Sequence, residues 1–281
     1  MTTIASVVAE ANHLASLIEA AARGLKHRRH QATLGPVRAR LKGLFADYFR
    51  RQGEAILAEV EPHIKAALWG QPPPIREAAR NGGKRFAQNL IPTSLQPLRF
   101  AVTDGEEADW QKAITDAIVG AGKTIAAELK AKGRALAEDV PSGYLREHSL
   151  TKLTGGFADT TVERLRGAVA DAWDAGGSYD QIVGAIKGTM DDFSDTRAGL
   201  IAQTEGNDAY SFGRRQMADE MGMTEKAWDP DGECCADICQ PNVDAGWIDI
   251  DEDFPSGDSE PTAHPGCDCG VNYRQTIGEG S

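Results

Sequence analysis

Residues 234–239 read Cys-Cys-Ala-Asp-Ile-Cys, and residues 264–269 read His-Pro-Gly-Cys-Asp-Cys. Together these two runs hold all 5 cysteines of a 281-residue chain. Soft donors on two separate loops can converge on a tetrahedral zinc ion, which supplies the cross-link that a thin apolar core cannot. An odd number of thiols beside a histidine, in a chain with no export signal at its start, points to metal rather than to disulfides. The candidate ligands are Cys235, Cys239, His264, Cys267 and Cys269, with Cys234 as an alternative first donor. A tetrahedral centre takes four, so the choice between Cys267 and Cys269 stays open. The competing reading is a set of reduced, partly buried cysteines with no metal.

The residues around these donors argue for a structural centre. A zinc deaminase needs His-x-Glu, with the Glu moving protons, but His264 is followed by Pro265 and Gly266. No His-Glu-x-x-His, Gly-x-Ser-x-Gly or phosphate-binding loop occurs either. The acidic run Asp249, Asp251, Glu252 and Asp253 lacks the glycine and terminal Glu of a calcium loop and reads as a solvated loop. The expected cofactor is therefore Zn2+ in a closed, non-catalytic site.

Outward from the cysteines, the chain from Gly222 onward alternates short apolar pieces with Gly, Pro and Asp. Trp247-Ile248-Asp249-Ile250 and Val271-Asn272-Tyr273 have the composition of short strands, and Asp229-Pro230-Asp231-Gly232 that of a turn. Such a unit has too little apolar content to fold without a staple. Everything before it has helical periodicity. Apolar residues from Ile4 to Leu25 recur every three or four positions, and the cations at 26–30 precede a Gly35-Pro36 break. A second helix is expected from Pro36 to about Trp69, bent at Gly53 and Pro62, followed by a Pro72-Pro73-Pro74 connector and a helix over 75–90. Further helices are expected over 106–138, ended by Pro141-Ser142-Gly143, and over 157–175. Ser178 with Gln181 has capping-box spacing, and Ser194 or Asp195 reads as the cap of a helix running to Met221. The expected class is α+β, predominantly α-helical: a long helical N-terminal body over 1–145 and a small zinc-stabilised α+β unit within 146–281.

Charge divides the chain unevenly. Residues 1–100 carry 15 Lys and Arg against 7 Asp and Glu, and the remainder 15 against 35. Lys26, Arg28, Arg29, Arg38 and Arg40 are candidate contacts to DNA or an acidic protein partner; solvated helix faces, or cations at a helix C-terminus, explain them equally well. No apolar run approaches the ~20 residues of a membrane span. With no signal peptide at the N-terminus, the chain is expected to be cytosolic when made.

One further pattern depends on order. Ala202-Gln203-Thr204-Glu205-Gly206-Asn207-Asp208-Ala209-Tyr210-Ser211-Phe212-Gly213 is followed by Met223-Thr224-Glu225-Lys226-Ala227-Trp228, then Asp231, the first cysteines, and His264 to Cys269. This succession resembles the phage Mu protein F-like minor head proteins over roughly residues 150–275. The resemblance implies a non-enzymatic minor capsid protein of a tailed bacteriophage, acting in head morphogenesis and in DNA packaging or ejection. Its partners would be portal and capsid proteins. It would reside in the virion, in the head interior or at the portal vertex, after assembly in the host cytoplasm. The resemblance also singles out Thr204, Glu205, Gly213 and Trp228; physically, Glu205 reads as an anchor of its helix to the zinc unit and Gly213 as a point of close packing, with a surface Glu and a tolerated Gly as the competing reading. Two departures are plain, the extra residue in the first cysteine pair and Gln203 where Arg is common. The alternative from another class is a zinc-dependent enzyme acting on nucleic acid, a nuclease or deaminase-like protein.

Overall fold

A computed structural model describes residues 4–70, 102–131, 134–155, 157–230 and 235–276; side chains are described from residue 30, save 67, 70, 151, 155 and 157–159. The expected connector at 72–74 and helix over 75–90 lie outside these residues. The class is α+β and helix-dominated, with a small three-stranded antiparallel sheet near the C-terminus.

Helix α1 runs from Ile4 to Lys65 without interruption, and a π-helical turn, Ala66–Gly70, continues it. The break expected at Gly35-Pro36 is absent. Leu34, Val37 and Leu41 are buried on one stripe, whereas Ala32, Gly35 and Pro36 are exposed. Pro36 removes the hydrogen bond to the Ala32 carbonyl, but on the wet side of the helix water can replace it, and the apolar stripe offsets the ~3 kcal/mol cost of a helical proline. The basic cluster at 26–30 consequently lies inside α1, so a role at a helix C-terminus is excluded.

Helix α2, Asp104–Glu128, opens on a reciprocal capping box: Thr103 N donates to Glu106 Oε2 at 2.8 Å, and Glu106 N to Thr103 Oγ1 at 3.2 Å. It stops ten residues before the expected end at 138. Lys130 takes a left-handed conformation (φ 59°), and Ala131 N closes back onto Ala126 O at 2.7 Å. Helix α3, Asp139–Glu147, contains the Pro141-Ser142-Gly143 triplet expected to end a helix. A proline in the first turn forfeits an N–H that has no partner there anyway. Helices α4 (Leu150–Gly155), α5 (Phe157–Asp174) and α6 (Tyr179–Asp192) follow, α6 with the expected Ser178/Gln181 capping box. A π-helical turn, Phe193–Arg197, leads straight into α7, Ala198–Glu220. No cap forms at Ser194, whose hydroxyl instead donates to the Met190 carbonyl within the continuing helix.

After α7 come β1 (Glu225–Asp229), the short helix α8 (Cys239–Asp244), β2 (Trp247–Asp249) and β3 (Gly270–Arg274). The sheet order is β2-β1-β3, with Lys226 opposite both Ile248 and Tyr273. Alternation turns Lys226, Trp228, Val271 and Tyr273 to the buried face. No helix among the described residues is long and apolar enough to cross a membrane.

Compact units do not follow the expected 1–145 and 146–281 blocks. One unit comprises 1–38, 114–141 and 204–281, the other 39–113 and 142–203. Helices α1, α2 and α7 each give residues to both, which no boundary drawn along the sequence can express. In the second unit, Phe45 meets Trp110 edge to face, and Gly53 on α1 leaves room for Met190, whose Cγ would lie 2.9 Å from an added Cβ. In the first unit, an added Cβ at Gly213 would lie 2.4 Å from the Ile118 carbonyl oxygen, so α7 and α2 touch backbone to backbone.

Candidate metal centre

Each donor is placed by local backbone geometry. A turn over 236–238 leads into α8, whose first residue, Cys239, directs its N–H at Cys235 Sγ (3.3 Å). Fully buried Asn242 pins α8 to the loop before the second donor run, accepting from Ser256 N at 2.9 Å and donating to Ser256 Oγ at 2.8 Å. In that run, Gly266 at φ 77° allows the turn that bonds Cys267 N to His264 O at 3.1 Å. His264 Nδ1 lies 3.0 Å from the Pro265 carbonyl; a proton there leaves the Nε2 lone pair for a metal, the arrangement usual for ligating histidines.

The five donors form two overlapping groups, Cys235 with Cys239 and His264, and Cys239 with Cys267 and Cys269; within each group the ligand atoms lie within 4.8 Å of one another. Cys239 belongs to both. Its sulfur is 3.9 Å from that of Cys267, against an edge of about 3.8 Å for a tetrahedron with Zn–S bonds of ~2.3 Å. Cys239, Cys267 and Cys269 are buried, while Cys235 and His264 are half-buried. Cys234 lies outside the described residues.

The electrostatics explain why such a group needs a cation. The Cys239 N–H lowers the Cys235 thiol against the opposing effect of burial. Burial raises Cys239, and Cys267 is raised first by its hydrogen bond with Cys269 and then by burial. Clustered buried thiols keep their protons when alone; a divalent ion displaces those protons and pairs the thiolates. The structure thus holds a Cys/His cluster able to bind a metal ion.

Helix α7 grips the second donor run with one face. Thr204 Oγ1 accepts from Gly266 N at 3.0 Å, Asn207 Nδ2 donates to the carbonyls of Cys267 and Cys269, and Asp208 Oδ1 accepts from Thr262 N at 3.2 Å. Glu205, expected to be the anchor, is not among these; burial, then the charge of Asp208, pushes its carboxyl up to about 7. Trp228 packs edge to face on Phe254 at 4.8 Å. Of the candidate contacts to DNA or a partner, Arg38 pairs its guanidinium with Asp268, between two candidate donor cysteines. Arg40 is exposed, and the side chains of Lys26, Arg28 and Arg29 lie outside the described residues. Asn207 and Asp208 escaped the sequence reading although they stand three and four residues after Thr204, the spacing of one helix face.

Beneath the sheet is a buried ionic cluster with no counterpart in the sequence reading. Fully buried Lys226 donates to the Ser259 carbonyl at 2.7 Å and lies 3.9 Å from Glu260 Oε1, which Arg215 approaches at 3.6 Å; Tyr273 donates to Glu260 Oε2 at 2.6 Å. Burial raises the Glu260 carboxyl from 4.5 to about 7, although Tyr273, Lys226 and Arg215 all pull it down. A carboxyl raised in the native state binds its proton more tightly there. Its contribution to stability is therefore full below about pH 4.5 and lost as pH rises through 7. The stability of wild type relative to Glu260→Gln, with metal present in both, is expected to fall by roughly 3 kcal/mol over that window. Denaturant titrations at a series of pH values check this, and a pH-independent difference would refute it.

Compared with models of protein families, with curated proteins and with solved structures, the chain matches none.

Proposed function

We propose that the chain is a non-enzymatic minor head protein of a tailed bacteriophage, of the phage Mu protein F-like kind, with a zinc ion as the clasp of its C-terminal unit. One observation carries the reading. The separate pieces of the resemblance meet at one place: Thr204 of the helix motif holds the Gly266 amide between His264 and Cys269, and Gly213 seats that helix against α2. Trp228 and the donors Cys239, Cys267 and Cys269 share one buried cluster. A shared core is what an ordered set of motifs in a single domain requires. The protein acts at the portal vertex or inside the head, through contacts with portal and capsid proteins, and its basic first third faces DNA or an acidic portal surface.

The alternative, a metal-dependent enzyme acting on nucleic acid, requires an open coordination position in reach of substrate. Three of the five donors are buried, and that favours a closed site. Co-expression of the tagged chain with the portal protein of its own phage tests the proposal. A stoichiometric complex, and heads that contain the chain, are expected; heads assembled without it would overturn the reading. Metal analysis of the purified chain should find one zinc per molecule.

A further inference from the structure

We infer that Asn207 is the positioning residue of the metal centre, and that it ties the segment from Cys267 to Cys269 to His30 of α1. The inference rests on the metal-site reading above.

Asn207 is fully buried on α7. Its amide nitrogen donates to the carbonyl of Cys267 and to that of Cys269, each at 3.1 Å. Its carbonyl oxygen lies 3.1 Å from Nε2 of His30, whose ring stacks on Tyr210 with centroids 4.7 Å apart. A carboxamide offers two donors and two acceptor lone pairs. Three of these four are used, each on a different group.

The two carbonyls are two residues apart. One nitrogen at 3.1 Å from both oxygens places the two carbonyls on the same side of the segment. One amide that captures both carbonyls therefore holds Cys267 and Cys269 with both sulfurs presented together, and both reach Cys239. Asp268 between them points elsewhere, to Arg38. The side chain of Asn207 thus does for this segment what a neighbouring strand would do, and the segment enters β3 directly at Gly270. No other residue type does this job in place. Aspartate has the same shape but no donor, and it would set a negative charge beside two carbonyls and the thiolates. Alanine would take away both bonds that Asn207 donates to these carbonyls. Because Oδ1 is engaged with His30, the orientation of the amide, and with it the loop, is fixed from α1.

The test is a chelator competition with Co2+ or Zn2+ on the full chain, comparing wild type with Asn207→Asp and with Ile118→Val, a conservative change at a buried residue of α2 that leaves the Asn207 bonds in place. Loss of such a supporting hydrogen bond typically costs roughly 10–100-fold in metal affinity. Asn207→Asp is expected to weaken binding within that range and to reduce the sulfur-to-Co2+ charge-transfer intensity, whereas Ile118→Val changes neither. Should Asn207→Asp fail to fold, the wild-type chain alone decides: its Asn207 side-chain NH2 signals are expected to be protected from exchange with metal and to lose protection once the metal is chelated. Wild-type affinity and spectrum in Asn207→Asp, or exchange indifferent to metal, would overturn the inference and leave the metal site standing. If wild type binds neither ion, the metal reading itself fails and this inference with it.

Discussion

Replacing Cys239 by alanine is expected to strip the chain of metal and to unfold the segment from β1 to β3, the largest loss any single substitution produces here. Cys239 is the one donor common to both groups, and it is fully buried. The unit it serves is thin: three strands of three to five residues and a six-residue helix. Structural zinc contributes on the order of 10–16 kcal/mol of apparent binding energy in small domains, comparable with the ~5–15 kcal/mol that holds a whole domain together. Most of that should vanish with Cys239. Elemental analysis and amide exchange over 225–274 are the measurements: no retained metal, and exchange at near-unfolded rates in that stretch. The contrast lies with the neighbours. Five donors compete for four places, so one of the two variants Cys267→Ala and Cys269→Ala should still retain metal. A folded Cys239→Ala chain with a full equivalent of metal would refute the clasp; one that stays folded without metal and loses an activity on nucleic acid would favour the enzyme.

The donor set was legible because soft ligands are rare and their chemistry is local: Cys235, Cys239, His264, Cys267 and Cys269 can be read from residue type and spacing alone. The Ser178/Gln181 capping box was legible for the same reason, since both partners sit within one turn. What the sequence hid depends on what lies across the fold. Pro36 is tolerated within a helix more readily where its i−4 carbonyl can reach water, and Ala32, which carries that carbonyl, is exposed. Arg38 looked like one of several surface cations because Asp268, its partner, stands 230 positions away. Lys226, with period-2 placement in a strand, should face solvent by its charge; a carbonyl, an aromatic ring and Glu260 make the buried face tolerable for it. The order of the units was hidden for a topological reason, since α1, α2 and α7 each serve both and no composition shift marks the exchange.

The second large effect concerns Arg214, the ionic link among α7, α2 and β3. Its guanidinium donates to Glu128 Oε2 at 2.9 Å and to the Val271 carbonyl at 3.0 Å, with only 8% of the side chain exposed. Burial, the largest single influence, pulls its pKa down, yet the charge and hydrogen bond of Glu128 together with the charges of Tyr210 and Tyr273 outweigh it and the group is raised overall, so it stays charged at any accessible pH. Arg214→Leu fills similar space but strands the Glu128 carboxylate, 13% exposed, and removes the bond to the Val271 carbonyl of β3, the strand into which the candidate donor cysteines lead. Removing one partner of a buried pair costs about 3–5 kcal/mol, whereas replacing both by apolar residues is often neutral or stabilising. Arg214→Leu should therefore lower stability by that amount, and Arg214→Leu with Glu128→Leu should recover most of it, short of the ~1 kcal/mol of the lost bond to Val271. Denaturant melts of the two single variants and the double give the coupling directly. A double variant no more stable than Arg214→Leu would mean that the arginine acts through its packing over Tyr210, whose ring centre lies 5.9 Å from the guanidinium carbon, and not through its charge.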